Sequence, residues 1–401
     1  MVKIQIPEAA EKIMEQLNVH GFEAYAVGGC IRDSLLGREP EDWDITTSAK
    51  PEQVKEIFSR TVDTGIQHGT VTVLIDRSGY EVTTYRIDGE YEDGRHPKSV
   101  EFTGNLLEDL KRRDFTINAM AYSGREGLVD AFDGRADLEL GIVRCVGNAV
   151  DRFTEDALRI LRAIRFCAQL GFHMERETEQ AISAIAPNLA KVSKERIQVE
   201  LTKLLLSAHP ELVKNVYENG IGPFISERFE WAGKRMEEVE SVRFLPPRKH
   251  MRWAGFLRME DPGDAAAILR DLKMDNETVD GVSTLAGLWK RPIPAHKPAI
   301  RKVMSSLSEG LFDDLLCFQE VFCRGEYMEQ LREVKQYSEE IRRDKDCIRL
   351  KDMAVTGREL IAAGRKPGPE LGALLNNLFE EVLKCPEYND REYLMELAKK
   401  L

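Results

Sequence analysis

The hydrophobic period of this chain changes once, near residue 150, and that change limits the architectures open to it. Up to about residue 145, short β-type runs at 25–27, 43–46, 70–75, 81–86 and 100–103 are separated by Gly, Asp and Pro. Helical spacing covers 7–17, 51–58 and 106–122. After Asp151, apolar residues recur every three or four positions, as in 157–170, 175–185 and 196–206, and strand signals nearly vanish. The predicted class is α+β: a domain on one mixed or antiparallel sheet, then an all-α remainder without a repeat of fixed period. Pro246-Pro247-Arg248-Lys249 and the three-proline stretch 289–298 are the clearest later breaks. The expected domains are 1–150, 151–215, 216–345 and 346–401.

In the first domain, Gly28-Gly29-Cys30-Ile31-Arg32-Asp33 precedes Asp42-Trp43-Asp44. Residues 25–27 read as a strand entering the glycines, and 31–37 as a short helix closed by glycine. On a second strand, at 43–46, Asp42 and Asp44 would share a face, because side chains alternate. Two carboxylates side by side repel unless a cation lies between them. Mg²⁺, a hard ion that takes oxygen ligands and brings phosphates with it, fits that demand. The glycines let backbone approach a phosphate closely, and Arg32 can pair with its charge. The combination reads as metal-assisted chemistry on a nucleoside triphosphate, whereas Asp-x-Asp alone is also common in solvated turns.

Two further strings carry chemistry. In Lys111-Arg112-Arg113-Asp114-Phe115-Thr116-Ile117-Asn118, a helix would put Arg113 or Asp114 one turn from Asn118. A carboxylate and an amide so placed can bind ribose hydroxyls; a solvated charge run is the plainer reading. In Glu155-Asp156-Ala157-Leu158-Arg159-Ile160-Leu161-Arg162-Ala163-Ile164-Arg165, Asp156 and Arg159 would share a helical face that Arg162 and Arg165 continue. A structural ion pair on an amphipathic helix is the plainer reading. Yet a carboxylate beside a guanidinium matches the amino group and ring nitrogen of cytosine or adenine, and faces like with like at uracil and guanine.

Composition narrows the class. The 401-residue chain carries a net charge of −12, against any broad nucleic-acid-binding surface. Residues 144–203 nevertheless hold ten Lys/Arg against eight Asp/Glu, so an RNA tract would be a local groove. No apolar run approaches membrane-span length, and the N-terminus lacks a secretory layout. The seven scattered cysteines read as reduced thiols, which predicts a cytoplasmic protein.

Gly-Gly-x-x-Arg-Asp with Asp-x-Asp resembles the signature of the polymerase-β-like nucleotidyltransferases, and more narrowly the class II tRNA nucleotidyltransferase and bacterial poly(A) polymerase branch. Arg-Arg-Asp-x-x-x-Asn resembles that family's sugar-recognition motif, and Glu-Asp-x-x-Arg its base-selection element. The resemblance implies a head (1–150), a base-selecting neck (151–215), a body (216–345) and a tRNA-binding tail (346–401). It implies Mg²⁺ on Asp42 and Asp44 as catalytic residues. CTP or ATP would be bound by Gly29, Arg32, Arg113, Asp156, Arg159, Arg162 and Arg165, with Glu155 positioning the base readers.

The string at 83–97 reads as a loop with two glycines; in the family the corresponding loop looks necessary for adding A after CC. Glu81 is either a third metal carboxylate or an exposed strand residue. Asp130-Ala131-Phe132-Asp133-Gly134 reads as an Asx-type turn. Thr356-Gly357 and Pro367-Gly368-Pro369 resemble the tail of Bacillus-type CCA-adding enzymes, as phosphate-holding helix starts or as plain caps. No histidine forms a His-Asp pair or HxxxH, so an appended phosphohydrolase is not expected. The expected activity is template-independent CCA addition to tRNA from CTP and ATP, with no membrane partner and with homodimer formation open. The alternatives are a poly(A) polymerase, an A-only enzyme and a non-catalytic RNA-binding adaptor.

Overall fold

The computed structural model describes residues 3–89, 100–234, 236, 238–308, 310–323, 325 and 327–401. Two compact units emerge: Met1–Met236 with Ala267–Met274, and Glu237–Ala266 with Asp275–Leu401.

The first unit opens with α1 (Glu8–Val19), whose Ala10, Ile13, Met14 and Leu17 form one buried stripe. Then come β1 (Ala24–Val27), α2 (Gly29–Leu35), β2 (Ile45–Thr47), α3 (Pro51–Ile57), β3 (Thr61–Gly65), β4 (Thr70–Ile75) and β5 (Ser78–Thr84). A small antiparallel pair, β6 (Arg86–Asp88) and β7 (Val100–Phe102), precedes α4 (Leu106–Lys111), β8 (Met120–Ser123), β9 (Gly127–Asp130) and α5 (Gly134–Leu140). Seven strands form one mixed sheet in the order β3-β4-β5-β2-β1-β8-β9, antiparallel except where β2 meets β5. All four β1 residues are buried, as a central strand covered on both faces requires.

The helical part of this unit contains β10 (Ile142–Val143), α6 (Ala149–Glu155), α7 (Leu158–Leu170), β11 (His173–Met174), α8 (Arg176–Ile185) and α9 (Lys194–Leu205). Helix α7 buries Leu158, Ile160, Leu161, Ala163, Ile164, Phe166 and Cys167, and ends at Gly171 with φ +72°. Ile197, Leu201, Leu204 and Leu205 of α9 complete this core.

The regular elements of the second unit are all helices among its described residues. Its C-terminal core gathers Met353, Val355, Leu360, Leu374, Leu378, Val382 and Leu394. Thr356 and Glu359 form a capping box at the head of helix Gly357–Ala362, and Gly368 caps Pro369–Lys384. Both prolines of the 246–247 pair lie between a 3₁₀ turn, Val239–Phe244, and helix Lys249–Leu257.

Three expectations are corrected. The helix expected over 106–122 stops at Lys111, and residues 120–122 belong to β8, a central strand. Phe115, Ile117, Ala119, Met120 and Ala121 are all buried, and such a continuous apolar run does not separate helix from strand by period. Asp42 and Asp44 lie on the lead-in to β2, not within it. The helix expected through 155–165 is interrupted at Asp156, whose extended backbone (φ −145°, ψ 101°) separates α6 from α7. Edge strands β3 and β9 fell outside the predicted runs because neither shows the strict alternation of a half-buried strand. Residues 90–97 of the expected loop lie outside the described residues.

Candidate active site

The site begins where β1 runs into α2. Gly28 adopts φ +82° and ψ −127°, a conformation reserved for glycine. A Cβ there would stand 2.9 Å from Nη1 of Arg113, so the missing side chain is what lets that guanidinium cross the turn. From the last turn of α2, Arg32 grips both oxygens of Asp33 at 2.9 and 2.8 Å and donates to Oδ1 of Asn118 at 2.7 Å. The same guanidinium lies 4.9 Å from the centre of the Phe166 ring.

The two carboxylates enter from the lead-in to the next strand. The Val27 N–H donates to the Asp44 carbonyl at 3.0 Å, continuing the β1–β2 ladder to the acid itself. Parallel pairing sets Ile45 opposite Val82, which brings Glu81 of β5 alongside Asp44. Burial raises the Asp44 carboxyl above its ordinary value; the charges of Glu81 and Asp42 push the same way, and Arg113 opposes them. Asp44 still reaches solvent through the cleft while protein surrounds the rest of it. A crowded Asp44 that resists ionisation is what a cation would relieve, so the residues fit a divalent metal. Among the described residues no three acidic, His or Cys side chains converge. The fit is therefore to two carboxylates, with phosphate and water supplying the remaining oxygens. Beside them, burial and the Asp44 charge push the Cys30 thiol up to about 11, which makes it an inert liner.

A cleft of about 600 Å³ brings Gly29, Arg32, Asp42, Asp44, Arg162 and Arg165 together. Arg38, Phe166 and Lys203 complete much of its wall. Arg113, Asp156 and Arg159 do not line it. Arg113 lies against Gly28 and Asp109, and its Nε is buried without a hydrogen-bond partner among the described residues.

Behind the cleft, Asp114 joins its two halves. Its Oδ1 accepts from Asn118 Nδ2 at 3.0 Å and from the Phe115 N–H at 2.8 Å, while Oδ2 accepts from Arg162 Nε and Nη2 at 2.8 and 2.6 Å. Burial alone would raise this carboxyl; Arg162, Asn118 and Arg159 outweigh it and hold it well below the usual range. Asp156 and Arg159 each have other partners: Arg196 Nη2 donates to Asp156 Oδ2 at 2.6 Å, and Arg159 Nη1 to Glu155 Oε2 at 2.6 Å. Arg159 also donates to the carbonyls of Arg152 and Arg112, at 3.1 and 3.0 Å. The Asp130 turn is structural: its carboxylate accepts from the Gly134 and Arg135 N–H groups at 2.8 and 2.9 Å.

Sequence reading missed Arg196 and Glu200. Glu200 is buried, pairs with Arg165 and stands 3.6 Å from Arg162. Its signal was present: a glutamate set among Ile197, Leu201 and Leu204 on the apolar face of a helix needs a buried cation.

The chain matches three family models: the poly A polymerase head domain over residues 24–144, the RNA- and SrmB-binding site of polymerase A over 171–225, and tRNA nucleotidyltransferase domain 2 over 247–398. The CCA-adding enzyme of Ligilactobacillus salivarius is 36% identical over 414 residues, covering 100% of this chain and 99% of the relative. That of Leuconostoc mesenteroides is 38% identical over 409 residues, covering 98% and 97%. The crystal structure of the Bacillus stearothermophilus CCA-adding enzyme in complex with CTP superposes with a TM-score of 0.81 at 31% identity, covering 99% of each chain.

Proposed function

The chain belongs to the CCA-adding enzymes, a family of tRNA nucleotidyltransferases, and we propose that it completes tRNA 3′ ends with C, C and A. It takes CTP and ATP, releases pyrophosphate and uses no nucleic-acid template. The observation that carries this reading is the single cleft in which the glycine turn, Arg32, Asp42 and Asp44 face Arg162 and Arg165 of α7.

Asp42 and Asp44 would hold a divalent cation, magnesium in this reading, which when bound supplies charge neutralisation at the triphosphate and acidifies the primer hydroxyl. The Gly28-Gly29 turn presents backbone to the phosphates, and Arg32 and Arg113 steady phosphate and sugar. Arg162 and Arg165 hold the nucleotide from the opposite wall. Asp156 accepts from the exocyclic amino group of cytosine or adenine, and Arg159 donates to the adjacent ring nitrogen. The primer 3′-oxygen attacks the α-phosphorus in line, and the bond to pyrophosphate breaks. In this reading 1–150 is the head, 151–215 the base-selecting neck, 216–345 the body and 346–401 the tRNA-binding tail. No helix among the described residues is long and apolar enough to cross a membrane. We place the enzyme in the cytoplasm; light-scattering mass against the 45.6 kDa chain decides whether it works as a homodimer.

A tRNA ending at its discriminator base, incubated with each NTP alone and in pairs, tests the function. Growth by CC with CTP alone, and by A only afterwards, is expected. An A-only enzyme extends only a CC-ended tRNA, a poly(A) polymerase adds long A tracts to any 3′ end, and an adaptor releases no pyrophosphate.

A further inference from the structure

Asp156 is held more tightly than a turn residue needs to be. Its Oδ1 accepts from the Leu158 N–H at 3.1 Å and from Arg196 Nη1 at 3.4 Å, and its Oδ2 from Arg196 Nη2 at 2.6 Å. The two side chains are 15% and 22% exposed, so the pair is largely withdrawn from solvent. Two nitrogens of one guanidinium on two oxygens of one carboxylate fix the plane of that carboxylate, which a single point charge cannot do.

The helix that carries Arg196 is itself anchored. One turn further along α9, Glu200 is buried against Arg165 and stands 3.6 Å from Arg162, and Arg162 holds Asp114. Ile197, Leu201 and Leu204 are buried alongside. Rotation or sliding of α9 would therefore break a buried ion network, so Arg196 presents its fork from a rigid support.

We propose that Arg196 is a positioning residue that sets nucleotide specificity by fixing the orientation of the Asp156 carboxylate toward the incoming base. The inference rests on the reading of Asp156 as the group that meets the base amino group. A carboxylate offers about four acceptor positions, and the Leu158 and Arg196 donors occupy three. The position left on Oδ2 is then defined in direction. An amino hydrogen of cytosine or adenine fills it, whereas the keto oxygen of uracil or guanine brings lone pair against lone pair. Without Arg196 the carboxylate can turn aside, and that contrast weakens while the reacting groups around Asp42 and Asp44 stay in place.

The test measures kcat and KM for CTP and for UTP on a tRNA ending at its discriminator base, with thermal unfolding of every variant. For Arg196→Gln, KM for CTP rises, kcat changes by no more than a few-fold, and the CTP-over-UTP ratio of kcat/KM falls by about 10-fold or more. Arg196→Lys keeps the charge without the fork and falls in between; it carries the comparison if the glutamine variant fails to fold. The double variant Asp156→Ala with Arg196→Gln discriminates no worse than Asp156→Ala alone. A folded Arg196→Gln enzyme with the native ratio overturns the proposal, as does an equal loss of kcat for both nucleotides. If Asp156→Ala itself keeps the native ratio, the base-reading role of Asp156 falls and the proposal with it. Loss of discrimination in Asp156→Ala but not in Arg196→Gln sinks the proposal alone.

Discussion

Asp114 serves two elements with one side chain, and its charge state follows from that. One oxygen holds Asn118 on the sheet side and the other holds Arg162 of α7. Its carboxyl sits below the ordinary 3.8, so it contributes stability that is fully present above that value. As pH falls through the ordinary carboxylate range toward the lower folded value, that contribution is lost. Asp114→Asn is expected to cost about 3–5 kcal/mol at pH 7, and less at pH near 3, in denaturant titrations at the two pH values. Asp42→Ala is expected to lower CTP incorporation by on the order of 10²-fold or more with unfolding unchanged, read by product length on a tRNA lacking CCA. Asp42, Asp44 and Arg32, which the structure brings into one cleft, stood out in the sequence because a glycine pair, an arginine and paired aspartates fall at short spacing. Arg196 did not, since its partner Asp156 lies 40 positions away and nothing in one sequence joins them.

At the scale of elements, β1, β4, α1, α3 and the helices from α7 to α9 were legible from period and punctuation alone. Strand β8 was not, because its apolar run is buried on both faces and imitates a helix. The break at Asp156 was hidden for a related reason: Phe153, Ala157, Leu158 and Leu161 keep a helical rhythm across a turn. The β4–β5 hairpin offers a direct test of turn chemistry. Ile75 faces Ser78, and the two residues between them, Asp76 and Arg77, have φ of +49° and +71°. That is the two-residue turn that favours Asn-Gly. Replacing Asp76-Arg77 with Asn-Gly is expected to stabilise the first unit by about 1 kcal/mol, seen as a higher thermal midpoint with unchanged CTP affinity.

Over the whole molecule, the cleft and the C-terminal core belong to different units. The cleft residues all belong to the first unit, while Leu378, fully buried, anchors the C-terminal core of the second. Leu378→Ala is expected to cost about 2–5 kcal/mol in chemical unfolding while leaving the calorimetric affinity for CTP intact. The fold class was legible from the single change of period; the division into units was not, because one unit includes a returning segment, Ala267–Met274, that no local pattern marks. The cleft itself has a further consequence, for timing. Its wall is assembled from segments between Gly29 and Ser207, with α9 the last helix to arrive. A ribosome elongating at ~5–20 residues per second needs roughly 10–35 s to emit that span. In a nascent chain the paired aspartates therefore emerge well before Lys203, Leu206 and Ser207, so the cleft wall is complete only once α9 is out.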